Sequence, residues 1–204
     1  IALENARLYQ QEHEWRQELE ALYRADEELY RHLHVDQVLQ SLVDVAVDIL
    51  EADKSSLVVW DPQRAQLDVR ASRGFRPEAI EQMSLTLGQV AVSGELIIIE
   101  DARSDPRVAS KLIELERIHS LVLVPIEIDG ELFGTFNLGY DQPRAFGDEE
   151  RRLFAALAQR AALAIENARL YEQAQQAAVL KERQRLARDL HDAVTQTLFS
   201  ASLI

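Results

Sequence analysis

The stretch "HSLVLVPIEIDGELFGTFNLGYD" (119–141) restricts the fold more than any other part of this chain. Two runs of β-branched and aromatic residues meet at Asp129-Gly130. That dipeptide accepts the left-handed dihedrals of a two-residue hairpin turn. The pattern predicts strands over 119–128 and 131–140, paired antiparallel. Pro125 has no N–H to donate, so it marks an edge or a bulge, and Gly134 lets a neighbouring strand approach closely. A lone hairpin is not stable in water. It needs more strands and a covering layer, and the flanking sequence supplies both. "SSLVVWD" (55–61), "QLDVRASRG" (66–74) and "GELIIIEDA" (94–102) read as strands, the first two joined by the turn "DPQRA". Asp36 is a candidate N-cap for a helix over 37–52, whose broad apolar face is Val38, Leu39, Leu42, Val43, Ala46, Ile49 and Leu50. A short helix is expected in "RPEAIEQMSL" (76–85), and another follows the turn at Ser104-Asp105-Pro106. The fold class is α+β: an antiparallel sheet flanked by helices and covered on one face.

Both ends of the chain read as long helices. Residues 1–33 contain no Gly or Pro, and Trp15, Leu19, Leu22, Leu29 and Leu33 form a heptad seam with Asp26 in one slot. Such a stripe needs burial against another helix of the same protein or against a twin subunit. From Gly147 the pattern turns helical again, with Asp148 as expected N-cap. Phe154, Leu157, Ala161, Ala164, Ala168, Tyr171, Gln175 and Ala178 alternate three and four apart. Apolar positions then resume one residue over, at Val179, Leu186, Leu190, Ala193 and Thr197, so the coiled-coil seam slips between 178 and 183. A local repacking and a signalling joint both account for that slip. The two helical ends share a word: "ENARLY" stands at 4–9 and again at 166–171.

Composition removes several classes of function. The net charge of −13 argues against nucleic acid and against an anionic membrane surface as partners. With no Cys, disulfides, thiol catalysis and thiolate metal sites are excluded for this stretch. No apolar run approaches the roughly 20 residues of a membrane span. The chain opens on Ile1 and has Met83 as its only Met, which reads as a cytoplasmic piece of a longer protein.

The middle of the chain resembles a GAF domain, a ligand-sensing module, over residues 34–171. The resemblance is carried by "SGELIIIEDARSDPRV" (93–108), "HSLVLVPIEIDGELFGTFNLGYDQPRAFGDEE" (119–150) and "LAQRAALAIENARLY" (157–171). It implies that residues 1–33 are a helical linker, the exit helix of a preceding GAF domain. It also implies a ligand pocket, whose ligand the sequence does not name; a ligand-free spacer is the alternative. The segment "LTLGQVAVSGE", which borders that pocket in the family, is shorter here by several residues. In haem-binding relatives the proximal His falls where this chain has Leu115, and a covalent bilin needs a Cys. No metal is expected.

The tail, "KERQRLARDLHDAVTQTLFSASLI" (181–204), resembles the H-box of a sensor histidine kinase, in particular that of the nitrate and lipid-fluidity sensors. The resemblance makes residues 172–204 a signalling helix and the start of a dimerisation and phosphoacceptor domain. It places the phosphoacceptor at His191, the general base at Asp192 and the water-positioning amide of the phosphatase step at Gln196. The chemistry suits those residue types. An imidazole attacks through an unprotonated nitrogen, and an unperturbed pKa near ~6.5 leaves it largely neutral at cell pH. A carboxylate next to it takes the proton from the other ring nitrogen. An amide orients water without titrating. His13, His32 and His34 lie on or beside the first helix without a partner pattern, and His119 sits at a strand start, so these are assigned no chemistry. The resemblance implies a parallel homodimer through both terminal helices and a response regulator as partner. It implies ATP and Mg²⁺ in a kinase domain of the parent, with no cofactor and no catalysis by this stretch alone. The rival expectation is a GAF dimerisation or small-ligand module with no phosphotransfer, or one linked to another output.

Overall fold

The computed structural model describes residues 2–61, 66–80, 94–108 and 110–201. The elements are α1 (Ala2–Leu29), α2 (Val35–Ile49), β1 (Lys54–Asp61), β2 (Gln66–Arg73), β3 (Ile97–Ile99), α3 (Ser110–Glu116), β4 (Ser120–Ile128), β5 (Glu131–Tyr140) and α4 (Asp148–Ala201). The turn at 62–65, most of the helix expected over 76–85 and the shortened segment ahead of Gly94 lie outside the described residues.

The hairpin is the centre of a five-stranded antiparallel sheet, ordered β2-β1-β5-β4-β3. Asp129 (φ 55°) and Gly130 (φ 77°) both take left-handed dihedrals, as the turn requires. The pairing of β3 ends at Leu123, so among the described residues Pro125 lies where β4 has only β5 beside it, and a register shift follows between Ile126 and Glu127. β3 is shorter than the 94–102 expected. Gly94 has φ 68°, and beyond Ile99 the chain turns so that the Ala102 amide bonds the His119 carbonyl at 2.7 Å.

Strand alternation splits the apolar residues between two faces. Leu57, Val122, Val124, Ile126, Phe136, Leu138 and Tyr140 pack against α2, α4 and the end of α1. Val58, Leu67, Ile99, Leu121 and Leu123 face the other way, onto Ala79, Ala102, Val108, Leu112 and Ile118. The sheet is therefore covered on both faces, not one. The second cover is built from short segments and the two-turn α3, which carry too little periodicity to register as a layer.

Two helix starts differ from expectation. α2 begins at Val35 with His34 as N-cap, and Asp36 lies in its first turn, paired with Arg70. α4 is capped at Gly147, whose carbonyl accepts from the Arg151 amide at 3.1 Å. Glu150 reaches back to the Gly147 amide at 3.0 Å, one half of a capping box, and Asp148 is a first-turn acid within the helix.

The terminal seams also resolve differently from each other. In α1, Ala25 and Leu29 are buried within the chain and Leu22 is half-buried, while Trp15 is 64% exposed and Leu19 50%. In α4, Phe154, Leu157, Ala161, Ala164 and Ala168 are buried in the chain's own core. This half of the expected seam faces the domain, so any partner helix must meet α4 elsewhere. Arg160 pairs with Asp26, and Glu172 meets His34 and Val35. Asp26, near the end of α1, and Val35, at the start of α2, meet α4 in chain order, so the segment from Asp26 to Val35 advances along α4 in its own direction.

A Cβ on Gly134 would lie 2.2 Å from the Val58 carbonyl oxygen, which is backbone and cannot swing away. Gly134→Ala is expected to destabilise the fold by about 2–3 kcal/mol, measured by urea denaturation; an unchanged midpoint would show that β1 and β5 are not so closely held. Tyr140 donates to the Leu50 carbonyl at 3.3 Å, and its ring contacts Phe146 at 5.3 Å between centroids. Burial pushes its phenol up to about 12, against the opposing pull of the Arg144 charge. The unfolded chain therefore ionises first as pH rises. The stability that Tyr140 contributes is present in full below pH 10.0 and is lost between there and about 12. The decline in denaturation free energy from pH 9.5 to 11.5 should be shallower in Tyr140→Phe than in the wild type, and parallel slopes would refute the assignment.

Candidate functional site

α4 is continuous from Asp148 to Ala201, so the GAF-like core and the tail are parts of one rod. Its first five turns are held by small and apolar residues that lie flat on the sheet, ending at Ala168. From Gln173 to His191 every residue is exposed. His191 thus stands on a helix free of the domain, open to a docking macromolecule on all sides. Asp192 and Gln196 continue the same helix; their side chains lie outside the described residues. Asp192 and Gln196 are four positions apart in the sequence, about one helical turn. His191 and Gln196 are separated by about 7.5 Å along the axis.

The helix surface around His191 is highly charged. Arg185 is held by Glu182 at 2.6 Å, and this carboxylate raises the guanidinium pKa above its usual value. Both groups are more than half exposed, so the pair adds little to stability. Leu186 (54%) and Leu190 (67%) remain uncovered between the charges.

The domain end of the site was not visible in the sequence. His34, assigned no chemistry there, lies 3.4 Å from Glu172 through Nδ1, and the Val35 amide donates to the same Glu172 oxygen at 3.1 Å. The residues are 137 positions apart, beyond any local pattern. On the second sheet face, Asn137 donates to Ser56 Oγ at 3.3 Å while its Oδ1, like Thr135 Oγ1, is buried without a partner among the described residues. Strand alternation could have placed these polar residues inward, but nothing in the pattern distinguished them from solvent-facing ones. His119 has the structural place expected: its backbone joins β4 to Tyr140 at 2.8 Å.

The described residues include no group of three or more side chains able to hold a metal ion. No helix among them is long and apolar enough to cross a membrane.

A mixed sheet-and-helix core that hands a single long helix outward is the GAF arrangement, and this chain belongs to the GAF domain family, which it matches over residues 34–167. A second family match, to the histidine kinase family, covers 182–204 and contains all three site residues. Neither matched region is an ATP-binding domain. Among curated proteins, sensor histidine kinase YhcY of Bacillus subtilis (strain 168) is 40% identical over 90 residues, which is 44% of this chain. The match spans 24% of that relative. Among solved structures, the GAF domain of a phosphoenolpyruvate-protein phosphotransferase from Coxiella burnetii superposes with a TM-score of 0.68 at 24% identity, covering 77% of this chain and 97% of that one. A domain of a putative two-component sensor histidine kinase from Sinorhizobium meliloti 1021 gives 0.60 at 24% identity, covering 69% and 96%. At these identities the two structures establish the fold. A GAF domain linked to a histidine-kinase dimerisation and phosphotransfer region is consistent with two-component signalling.

Proposed function

We propose that this chain relays a GAF-domain signal to a phosphoacceptor histidine in a two-component sensor kinase of the nitrate- and lipid-fluidity-sensor type. The observation that carries the reading is the histidine-kinase match over 182–204, lying on the same unbroken helix that leaves the GAF core. His191 is the phosphoacceptor. Asp192, its neighbour, takes the proton from one ring nitrogen while the other attacks the γ-phosphorus of ATP; the bond to the β–γ bridging oxygen breaks, ADP leaves, and the ring of the phosphohistidine is uncharged. ATP and Mg²⁺ belong to the nucleotide-binding domain of the parent kinase, and the 204-residue stretch transfers no phosphate alone. The phosphate then passes to an Asp of a response regulator, and Gln196 aims water at that aspartyl-phosphate in the reverse step. Residues 1–33 serve as the exit helix of a preceding GAF domain, 34–171 as the sensor and 172–204 as the output helix.

The functional unit is a parallel homodimer. The domain-facing side of α4 is occupied, which leaves Leu163 (48% exposed) and Leu170 (56%), seven residues apart, as the stripe for a second copy. Trp15 and Leu19 extend the contact on α1. Sedimentation at tens of micromolar should give a dimer, and Leu163→Glu/Leu170→Glu should give a monomer. A wild-type chain that sediments only as a monomer would refute the arrangement.

With the parent's ATP-binding domain supplied and labelled ATP added, label should appear on the wild type and on His32→Ala but not on His191→Ala. In the same assay Gln196→Ala should keep the label and slow dephosphorylation of the regulator at least tenfold. Label that survives His191→Ala would sink the phosphotransfer reading in favour of a GAF scaffold.

A further inference from the structure

The geometry points to Glu172 as the residue that positions the output helix against the domain. Apolar packing of α4 ends at Ala168, and Glu172 is its last half-buried residue before the exposed stretch that starts at Gln173. What holds the helix at that point is polar. The Val35 amide is the first of α2, and its N-cap residue, His34, makes no side-chain cap bond. Helix-start amides have no partner within their own helix. Here Glu172 supplies one from the other end of the chain: its Oε1 accepts from Val35 at 3.1 Å and lies 3.4 Å from His34 Nδ1. A carboxylate at this place also meets the positive end of the α2 dipole. One side chain therefore fixes the α1–α2 corner to the exit helix.

A second tie, Arg160 to Asp26, lies twelve residues earlier on α4. It is flanked by buried Leu157 and Ala161, so packing holds the helix there with or without the ion pair. At Glu172 no such packing remains, and the azimuth of the free helix depends on the cap. His191 lies nineteen residues further on, about 28 Å along the axis. A tilt of 10° at Glu172 displaces His191 by roughly 5 Å at that lever length. A change in the α1–α2 corner is thus converted at this contact into a displacement of the phosphoacceptor. The consequence for His191 rests on the phosphotransfer reading; the positioning of the helix does not.

The test is amide exchange by NMR on the 204-residue chain, with labelling of the full-length kinase beside it. Glu172→Ala should speed exchange of the Val35 amide by roughly fivefold or more, the loss expected for an N-cap, while β4 and β5 amides keep wild-type protection and so report an intact fold. Glu172→Gln keeps an acceptor oxygen and should restore most of the Val35 protection. In the full-length kinase the rate of His191 labelling should change at least threefold in Glu172→Ala and return toward wild type in Glu172→Gln. Wild-type exchange at Val35 in Glu172→Ala overturns the proposal, as does faster exchange with an unchanged labelling rate. Label absent from every variant, the wild type included, counts against the phosphotransfer reading, and the exchange result then decides the positioning role by itself.

Discussion

The rest of this structure depends on the contact between the first half of α4 and the sheet face formed by Val122, Val124, Phe136 and Leu138. The helix side is built mostly from small residues: Ala158, Ala161, Ala164 and Ala168, with Phe154, Leu157 and Ile165 between them. Alanines allow the helix axis to come close to the sheet, and the three larger side chains fill the space that remains. The same contact closes one end of the core, where Tyr140, Phe146 and Phe154 pack in sequence at tilted, edge-on angles with centroids 5.3 and 5.9 Å apart. The guanidinium of Arg144 lies over two of these rings, 4.8 and 5.7 Å from their centroids, and is held by Glu150 at 2.8 Å. The start of the rod is thereby bound to the end of the hairpin. α2 and the end of α1 then fit beside α4 on the same face.

Where the apolar contact stops, the helix changes character. Up to Ala168 its position follows from shape complementarity, which is non-directional and insensitive to single charges. After that, its direction follows from one carboxylate at the start of another helix. A module that must hold a fold and also move an output needs both regimes, and α4 places them in series along one element. The exposed Leu163 and Leu170 lie within the rigid part. A second copy that covers them meets a surface whose geometry is already set.

Much of this was legible in the sequence, and the limits have physical reasons. The hairpin was readable because Asp129-Gly130 is a strong local turn signal with alternation on both sides. The long helices were readable from the absence of Gly and Pro. The identity of the partner of each stripe was not. Phe154 to Ala168 show the same three-four spacing whether they face a sheet or a twin helix, and only the tertiary structure shows that they face the sheet. Asp36 had the right residue type for a cap, yet the true start of α2 lies one residue ahead of it and takes its cap from Glu172, a residue that no local window includes. The second cover of the sheet, from Ala79, Ala102 and Val108, is assembled from turns without periodicity. The proposed site residues, His191, Asp192 and Gln196, come from a linear motif on one helix, the kind of pattern a sequence carries by itself. The contact that orients that helix, between His34, Val35 and Glu172, joins positions far apart in the chain and leaves no trace in either neighbourhood.

The order in which Asp26 and Val35 meet α4 has a consequence for how such a protein is assembled. The chain meets α4 first at Arg160 and then at Glu172, so the stretch that leads into the domain follows the helix that leaves it. The domain's boundary words match as well, since the same six letters stand at 4–9 and at 166–171. A unit that starts and finishes on the same phrase is closed under concatenation. Under the proposed reading of residues 1–33 as the exit helix of a preceding GAF domain, both joints of the line carry the same helical phrase.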